Sequence, residues 1–159
     1  AAPNRIHQDI AAQLTHELVA YFRGKSCKVY PAPFEVCFPE KGEQEHEITT
    51  VVQPDISIIC DGKKLDKRGC KGAPDLIMEI ISPYTALKDK REKFHLYEKH
   101  GVKEYWIIYP YEYMVEIYKP DEQGKYRFPE VYDSKGVVDV KLFPGLKIDL
   151  PLIFPGIED

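Results

Sequence analysis

The chain has 159 residues, 43% of them hydrophobic and 30% charged, with a net charge of −4. That length and balance suit one globular domain with a real core, and they argue against disorder or a membrane-spanning helix, since no apolar run approaches about 20 residues. The negative total argues against a surface coated for non-specific nucleic-acid binding, and the start, Ala1-Ala2-Pro3-Asn4-Arg5, has no long apolar stretch after its basic residue and does not read as a signal peptide.

In chain order, the first element is a helix. Ile6, Ile10, Leu14, Leu18 and Phe22 recur every four residues, and Gly24 is the expected stop. His7 falls within the same stripe and reads either as a core-edge histidine or as an auxiliary to a site. Strand-like segments follow at Val29–Tyr30 and Phe34–Phe38, then an acidic, turn-rich stretch, the β-branched run Ile48–Val52, and a compact strand at Ile56–Cys60. The basic segment Lys63–Gly72 is expected to be an exposed loop. Leu76–Ile81 is almost continuously apolar, as a strand covered on both faces should be.

Thr85–His100 is the second helix, with Thr85 as N-cap, Gly101 as C-cap, and Leu87, Phe94 and Tyr97 facing inward. Glu104–Tyr109 is another buried strand. Val115–Tyr118 and Tyr126–Val131 read as a hairpin, and the tail from Val138 to Phe154 mixes short strands with turns. The pattern predicts an α/β fold with a mixed central sheet and few helices. The four cysteines, Cys27, Cys37, Cys60 and Cys70, stand ten or more residues apart and form no close zinc-type pair. They are expected to be reduced, and a cytoplasmic location follows as the default.

The chemistry concentrates in two stretches, Gln53-Pro54-Asp55-Ile56-Ser57 and Pro74-Asp75-Leu76-Ile77-Met78-Glu79-Ile80-Ile81-Ser82-Pro83. Each sets an acidic residue in or beside an apolar strand, where an ionised carboxylate costs several kcal/mol unless it is compensated. If the two strands pair, Asp55 and Glu79 converge, and a divalent cation held by their oxygens relieves the repulsion. The alternative is structural: Glu79 pairs with a lysine and Asp55 caps a turn. Asp75, after Pro74, reads as a turn residue. Lys93 shares a helix face with Asp89 and Tyr97, which puts its ammonium within reach of the Glu79 strand, and Lys90 is its rival. From Asp61 to Lys93 there are nine Lys/Arg and six Asp/Glu, a local +3 that leaves −7 for the rest of the chain. Two basic clusters, Lys63, Lys64, Lys67, Arg68 and Lys71, then Lys88, Lys90, Arg91 and Lys93, bracket the second acidic strand; solvated surface charge accounts for either alone, and their co-location with the carboxylates points toward a phosphate-bearing substrate.

The run Gln53-Pro54-Asp55, Gly72-Ala73-Pro74-Asp75-Leu76 leading into Glu79 with Ser82-Pro83, then Asp89, Lys93, Tyr97 and Gly101-Val102-Lys103-Glu104-Tyr105-Trp106, resembles the Uma2 family, also called DUF820. The likeness extends from His7-Gln8 to Phe143-Pro144-Gly145-Leu146. It implies a restriction-endonuclease-like fold of the PD-(D/E)XK superfamily, built as one nuclease-like domain over residues 1–159. It also implies Asp55 and Glu79 as ligands for Mg²⁺ or Mn²⁺, and a lysine that activates water. That lysine ordinarily stands two residues after the Glu, where this chain has Ile81, so Lys93 from the following helix is expected to serve. His7, Lys90 and Tyr97 are auxiliary candidates. The implied activity is metal-dependent hydrolysis of phosphodiester bonds in nucleic acid, expected to be DNA, without a membrane partner. A homodimer is expected only because cutting both strands needs two sites. The alternative is a nuclease-fold protein that binds nucleic acid or a protein partner without cutting, favoured by the −4 charge and by Ile81. A two-carboxylate glycoside hydrolase is weaker still, because beyond eleven tyrosines nothing specific supports a sugar cleft.

Overall fold

The computed structural model describes residues 3–83 and 87–156. Helix α1 (Arg5–Phe22) forms where an apolar residue recurs every fourth position, and Ile10, Leu14, Leu18 and Phe22 are buried. Asn4 caps it, its side chain accepting the His7 N–H at 3.2 Å. Strands β1 (Lys28–Pro31), β2 (Glu35–Cys37), β3 (Val51–Val52), β4 (Ile56–Ile59), β5 (Gly69–Lys71) and β6 (Leu76–Ile80) precede helix α2 (Leu87–His100). Strands β7 (Glu104–Tyr109), β8 (Met114–Tyr118), β9 (Glu130–Asp133), β10 (Val137–Asp139), β11 (Lys147–Asp149) and the short helix α3 (Leu150–Ile153) follow.

Six strands form the central sheet in the order β1-β4-β6-β7-β8-β9. Every neighbouring pair is antiparallel except β6 and β7, which run parallel and are joined by α2 as the crossover. This is the mixed α/β architecture expected from the sequence. Side-chain alternation divides the core in two. Leu76, Met78, Ile80, Trp106 and Ile108 pack beneath α1 on one face, together with the tail residues Val138, Ile148 and Leu150. Ile77, Tyr105 and Ile107 pack on the other face with Tyr97 and Val102. Glu79 shares the second face with Ile77, so its carboxylate emerges on the side that α2 covers.

Several local expectations are corrected. The segment Lys63–Gly72 is no plain loop: it contains β5, which pairs in parallel with β2, and Gly69 and Cys70 are buried. A Cβ at Gly69 would lie 2.0 Å from the Glu35 carbonyl oxygen, so only glycine permits that approach. A pairing so distant in sequence leaves no trace in a lysine-rich composition. The second strand of the predicted hairpin begins at Glu130 rather than Tyr126, because Pro129 has no N–H to give a ladder. Leu87, expected to face inward, is 69% exposed in the first turn of α2, and Tyr97 is the buried anchor. The expected N-cap Thr85 lies outside the described residues. Among the described residues no helix is long and apolar enough to cross a membrane.

The expectation of four free thiols fails for one pair. Cys37 and Cys70 are free, but Cys27 and Cys60 form a disulfide. The β1–β4 register pairs Lys28 with Ile59, which sets the two flanking cysteines opposite each other with Cα atoms 4.1 Å apart. The premise for a reducing compartment therefore disappears. Closing a loop over a separation of 33 residues is worth about 3–4 kcal/mol on the loop-entropy account. Thermal melts with and without dithiothreitol are expected to show a drop of several degrees in the midpoint on reduction, and Cys27→Ser should melt like the reduced protein under both conditions.

Candidate active site

The site begins where β4 stops. Pro54 offers no N–H, so the ladder with β6 ends at the Ile56–Met78 pair, and the next residues outward, Asp55 and Glu79, face each other. The unpaired backbone donors there are taken by carboxylates. The Ile80 N–H donates to Asp55 Oδ2 at 2.7 Å, and the Asp55 N–H donates to Glu79 Oε1 at 3.2 Å. Each acid thus fastens the backbone of the other strand. Between them they satisfy two donors that would otherwise be lost at the strand ends.

The remaining oxygens meet a lysine and a histidine from the two helices that flank the sheet. Lys93, on α2, brings its ammonium within 2.7 Å of Glu79 Oε2 and 3.7 Å of Asp89. His7, on α1, places Nε2 3.2 Å from Asp55 Oδ1. Its Nδ1 is buried and has no hydrogen-bond partner among the described residues. These groups line a cleft of about 410 Å³, together with Asn4 and Gln53. Ile81, two residues past Glu79, packs partly into the second core. The structure therefore brings together Asp55, Glu79, Lys93 and His7.

Other candidates are placed differently. Lys90 lines the same cleft, but its ammonium donates to the Tyr109 hydroxyl instead of reaching Glu79. Tyr97 is fully buried, packs edge-on against Tyr105 and does not line the cleft. Asp75 sits at the opposite end of β6, accepting the Cys60 N–H at 2.7 Å and an ion pair from Lys103, as its reading as a turn residue implies. Arg68 and Lys71 of the first basic cluster line a separate small cavity, whereas Lys90 and Lys93 of the second line the cleft with the carboxylates.

Sequence reading overlooked two elements. The buried acid Glu104, paired in register with Leu76 at the far end of the sheet, accepts the Trp106 indole N–H at 2.8 Å. Asn4 both caps α1 and lines the cleft, and its only sequence signal was a capping residue ahead of an amphipathic helix.

The electrostatics follow from burial. Desolvation pushes Glu79 up to about 7 against the opposing pull of Lys93. Burial pulls Lys93 down, but the charge and hydrogen bond of Glu79 outweigh it, so the ammonium is held more firmly protonated than usual. His7 is raised chiefly by its hydrogen bond to Asp55, against the cost of burial. Lys93 is therefore a settled cation, whereas the charge of Glu79 is balanced near neutral pH.

The donor set fits a hard divalent cation. Among the described residues each of the four carboxylate oxygens makes one contact to protein and keeps acceptor capacity for another. Among the described residues no three His, Cys, Asp or Glu side chains group around a point. Two carboxylates completed by water and substrate oxygens is the arrangement Mg²⁺ commonly takes, in contrast to an all-protein cage.

The Uma2 family, described as "Putative restriction endonuclease", matches residues 1–151. The chain belongs to that family. Among solved structures it is similar to a crystal structure from Anabaena variabilis described as "a putative nuclease belonging to DUF820", with a TM-score of 0.75 and 21% sequence identity, covering 97% of this chain and 83% of the other. No curated protein matches the chain. The fold is thus the nuclease-like α/β fold of that structure.

The raised carboxyl of Glu79 gives stability a sign. Between its ordinary value of 4.5 and about 7, the folded acid keeps a proton that the unfolded acid has released, so stability falls as pH rises through that window. Glu79→Gln is expected to flatten the fall by an amount on the order of 3 kcal/mol. Urea midpoints for the two proteins at each end of the window measure this, and identical slopes overturn it.

Proposed function

We propose, from membership of the Uma2 family, that the chain is a metal-dependent endonuclease hydrolysing phosphodiester bonds in DNA, with the cleft between α1 and α2 as its active site. The observation that carries this reading is the interlock at the β4–β6 end, with the Lys93 ammonium 2.7 Å from Glu79 Oε2 and Asp55 beside them. A structural ion pair needs one acid and one base. Here a second acid is held at the same point by its own backbone donor and by His7, and the group opens onto a cleft instead of closing into the core.

In this reading Asp55 and Glu79 hold Mg²⁺ or Mn²⁺, which when bound polarises a phosphoryl oxygen and lowers the pKa of water. The Ile80 N–H and His7 Nε2 keep the Asp55 carboxylate oriented. Lys93 sets a fixed positive charge at the cleft wall, where negative charge builds on the scissile phosphate. The lysine comes from a helix instead of the strand, so Ile81 is free to pack. Burial of Glu79 strengthens each of these interactions, because little water competes with them.

Incubation of plasmid DNA with the protein and Mn²⁺ is expected to give cleavage. Asp55→Ala and Glu79→Ala should lose it by at least about 100-fold, and Lys93→Ala by about 10²–10³-fold. Undiminished cutting by both carboxylate variants sinks the site, and normal cutting by Lys93→Ala alone sinks the lysine assignment. Titration calorimetry that finds no Mn²⁺ binding at metal on the order of millimolar supports instead the non-cutting, binding-module reading.

A further inference from the structure

Beyond the carboxylates, the cleft wall carries a cation, and an adjoining hollow carries an aromatic ring, that the proposed chemistry does not use. Lys90 is the cation. Its ammonium lies 4.7 Å from the centre of the Tyr109 ring and donates to the Tyr109 hydroxyl, which in turn donates to Glu116. The chain of contacts fixes the ammonium on the cleft wall and leaves it further N–H donors for a phosphate.

The ring belongs to Tyr111, in the turn between β7 and β8, and it is 50% exposed. Tyr113 completes that turn with a φ of 54°, a left-handed conformation that non-glycine residues seldom adopt. The Tyr111 hydroxyl accepts a hydrogen bond from Asn4 Nδ2 at 2.6 Å. Asn4 lines the catalytic cleft on one side and, on the other, a hollow of about 400 Å³ that it shares with Tyr111. The aromatic face thus stands one hydrogen bond away from the wall of the site. Among the described residues no other ring packs against it. Arg5 and Asp9 face the same hollow with opposite charges, so attraction there rests on the ring more than on net charge.

The depth of the site points the same way. Glu79 is 5% exposed, and the His7 and Asp55 side chains are 12% and 21% exposed. A scissile phosphate has to enter the cleft to reach them. A strand that has left its stack can bend inward, whereas a stiff duplex cannot follow without being opened. The α2 side of the cleft carries Lys90 and Lys93 against the single acid Asp89, and lysines near an exposed aromatic ring are the combination that holds unpaired strands, because every base has a face to stack.

We propose that the cleft takes an unpaired DNA strand, with Lys90 holding a backbone phosphate next to the scissile one and Tyr111 stacking a neighbouring base. The inference rests on the nuclease reading and names its substrate class.

The test is fluorescence anisotropy of the full chain in Ca²⁺, using labelled oligothymidylate and a duplex of the same length as probes. Wild type is expected to bind the unpaired probe at least about tenfold more tightly than the duplex. Tyr111→Ala should lose about tenfold or more in affinity for oligothymidylate, and Tyr111→Phe, which keeps the ring, should restore it. Lys90→Ala should reduce the slope of log affinity against log salt by about 0.7. Equal or tighter duplex binding, or unchanged oligothymidylate binding by Tyr111→Ala, overturns the proposal. If the protein still cuts plasmid with Mn²⁺ in that case, the nuclease reading stands and only the strand assignment falls. Binding of neither probe, with no cutting, removes both.

Discussion

A carboxylate buried at the end of a central strand cannot stand alone, and the local architecture follows from what Glu79 needs. Its side chain is 7% exposed, so water compensates little of its charge and the protein has to supply the rest. One compensating group is the Asp55 N–H, available only because Pro54 ends β4 at that level. The other is Lys93, available only because the parallel step from β6 to β7 demands a crossover helix and α2 lies across that face. Removing either leaves an acid whose charged form is still more costly. With both present, the acid is poised between its charged and neutral forms.

The same end of the sheet is where the two helices come within reach of each other's territory. α1 packs on the face opposite α2, yet its first turn extends past the strand ends and brings Asn4 and His7 to the Asp55 side of the cleft. Open α/β sheets commonly bind ligands beyond the carboxyl ends of their parallel strands, and β6 and β7 place this cleft there. The disulfide, Asp75 and Glu104 lie at the far end, where they tie β1 to β4 and close the strand starts. Stability features and candidate chemistry are thus separated along the strands, by roughly the length of β6.

Much of this was readable from residues alone. The four-residue spacing of α1, the continuous apolar run of β6 and the register-sensitive placement of Glu79 each express a period that the backbone imposes on side chains. Pro54 marked the strand end, and the helical spacing of Asp89, Lys93 and Tyr97 put Lys93 on the inward side. Tyr97 faces inward as its place in the apolar stripe implies, and its full burial keeps it out of the cleft that Lys93 lines, because a bulky ring buries more favourably than it hydrates. Cys27 and Cys60 show the limit of such reasoning, since their adjacency depends on which strands pair and in what register.

The sequence by itself determined the element types, the mixed α/β class, the two acidic strands and the family, because propensity, hydrophobic period and motif order are all local properties of the chain. Only the tertiary structure decided which acid meets which base, that Lys90 turns to Tyr109 while Lys93 reaches Glu79, that His7 joins Asp55, and that Arg68 and Lys71 line a cavity separate from the carboxylates. Those outcomes hang on strand register and helix crossing. Both are set by burying the two sheet faces together, and a one-residue slip of β6 would carry Glu79 to the other face, away from Lys93.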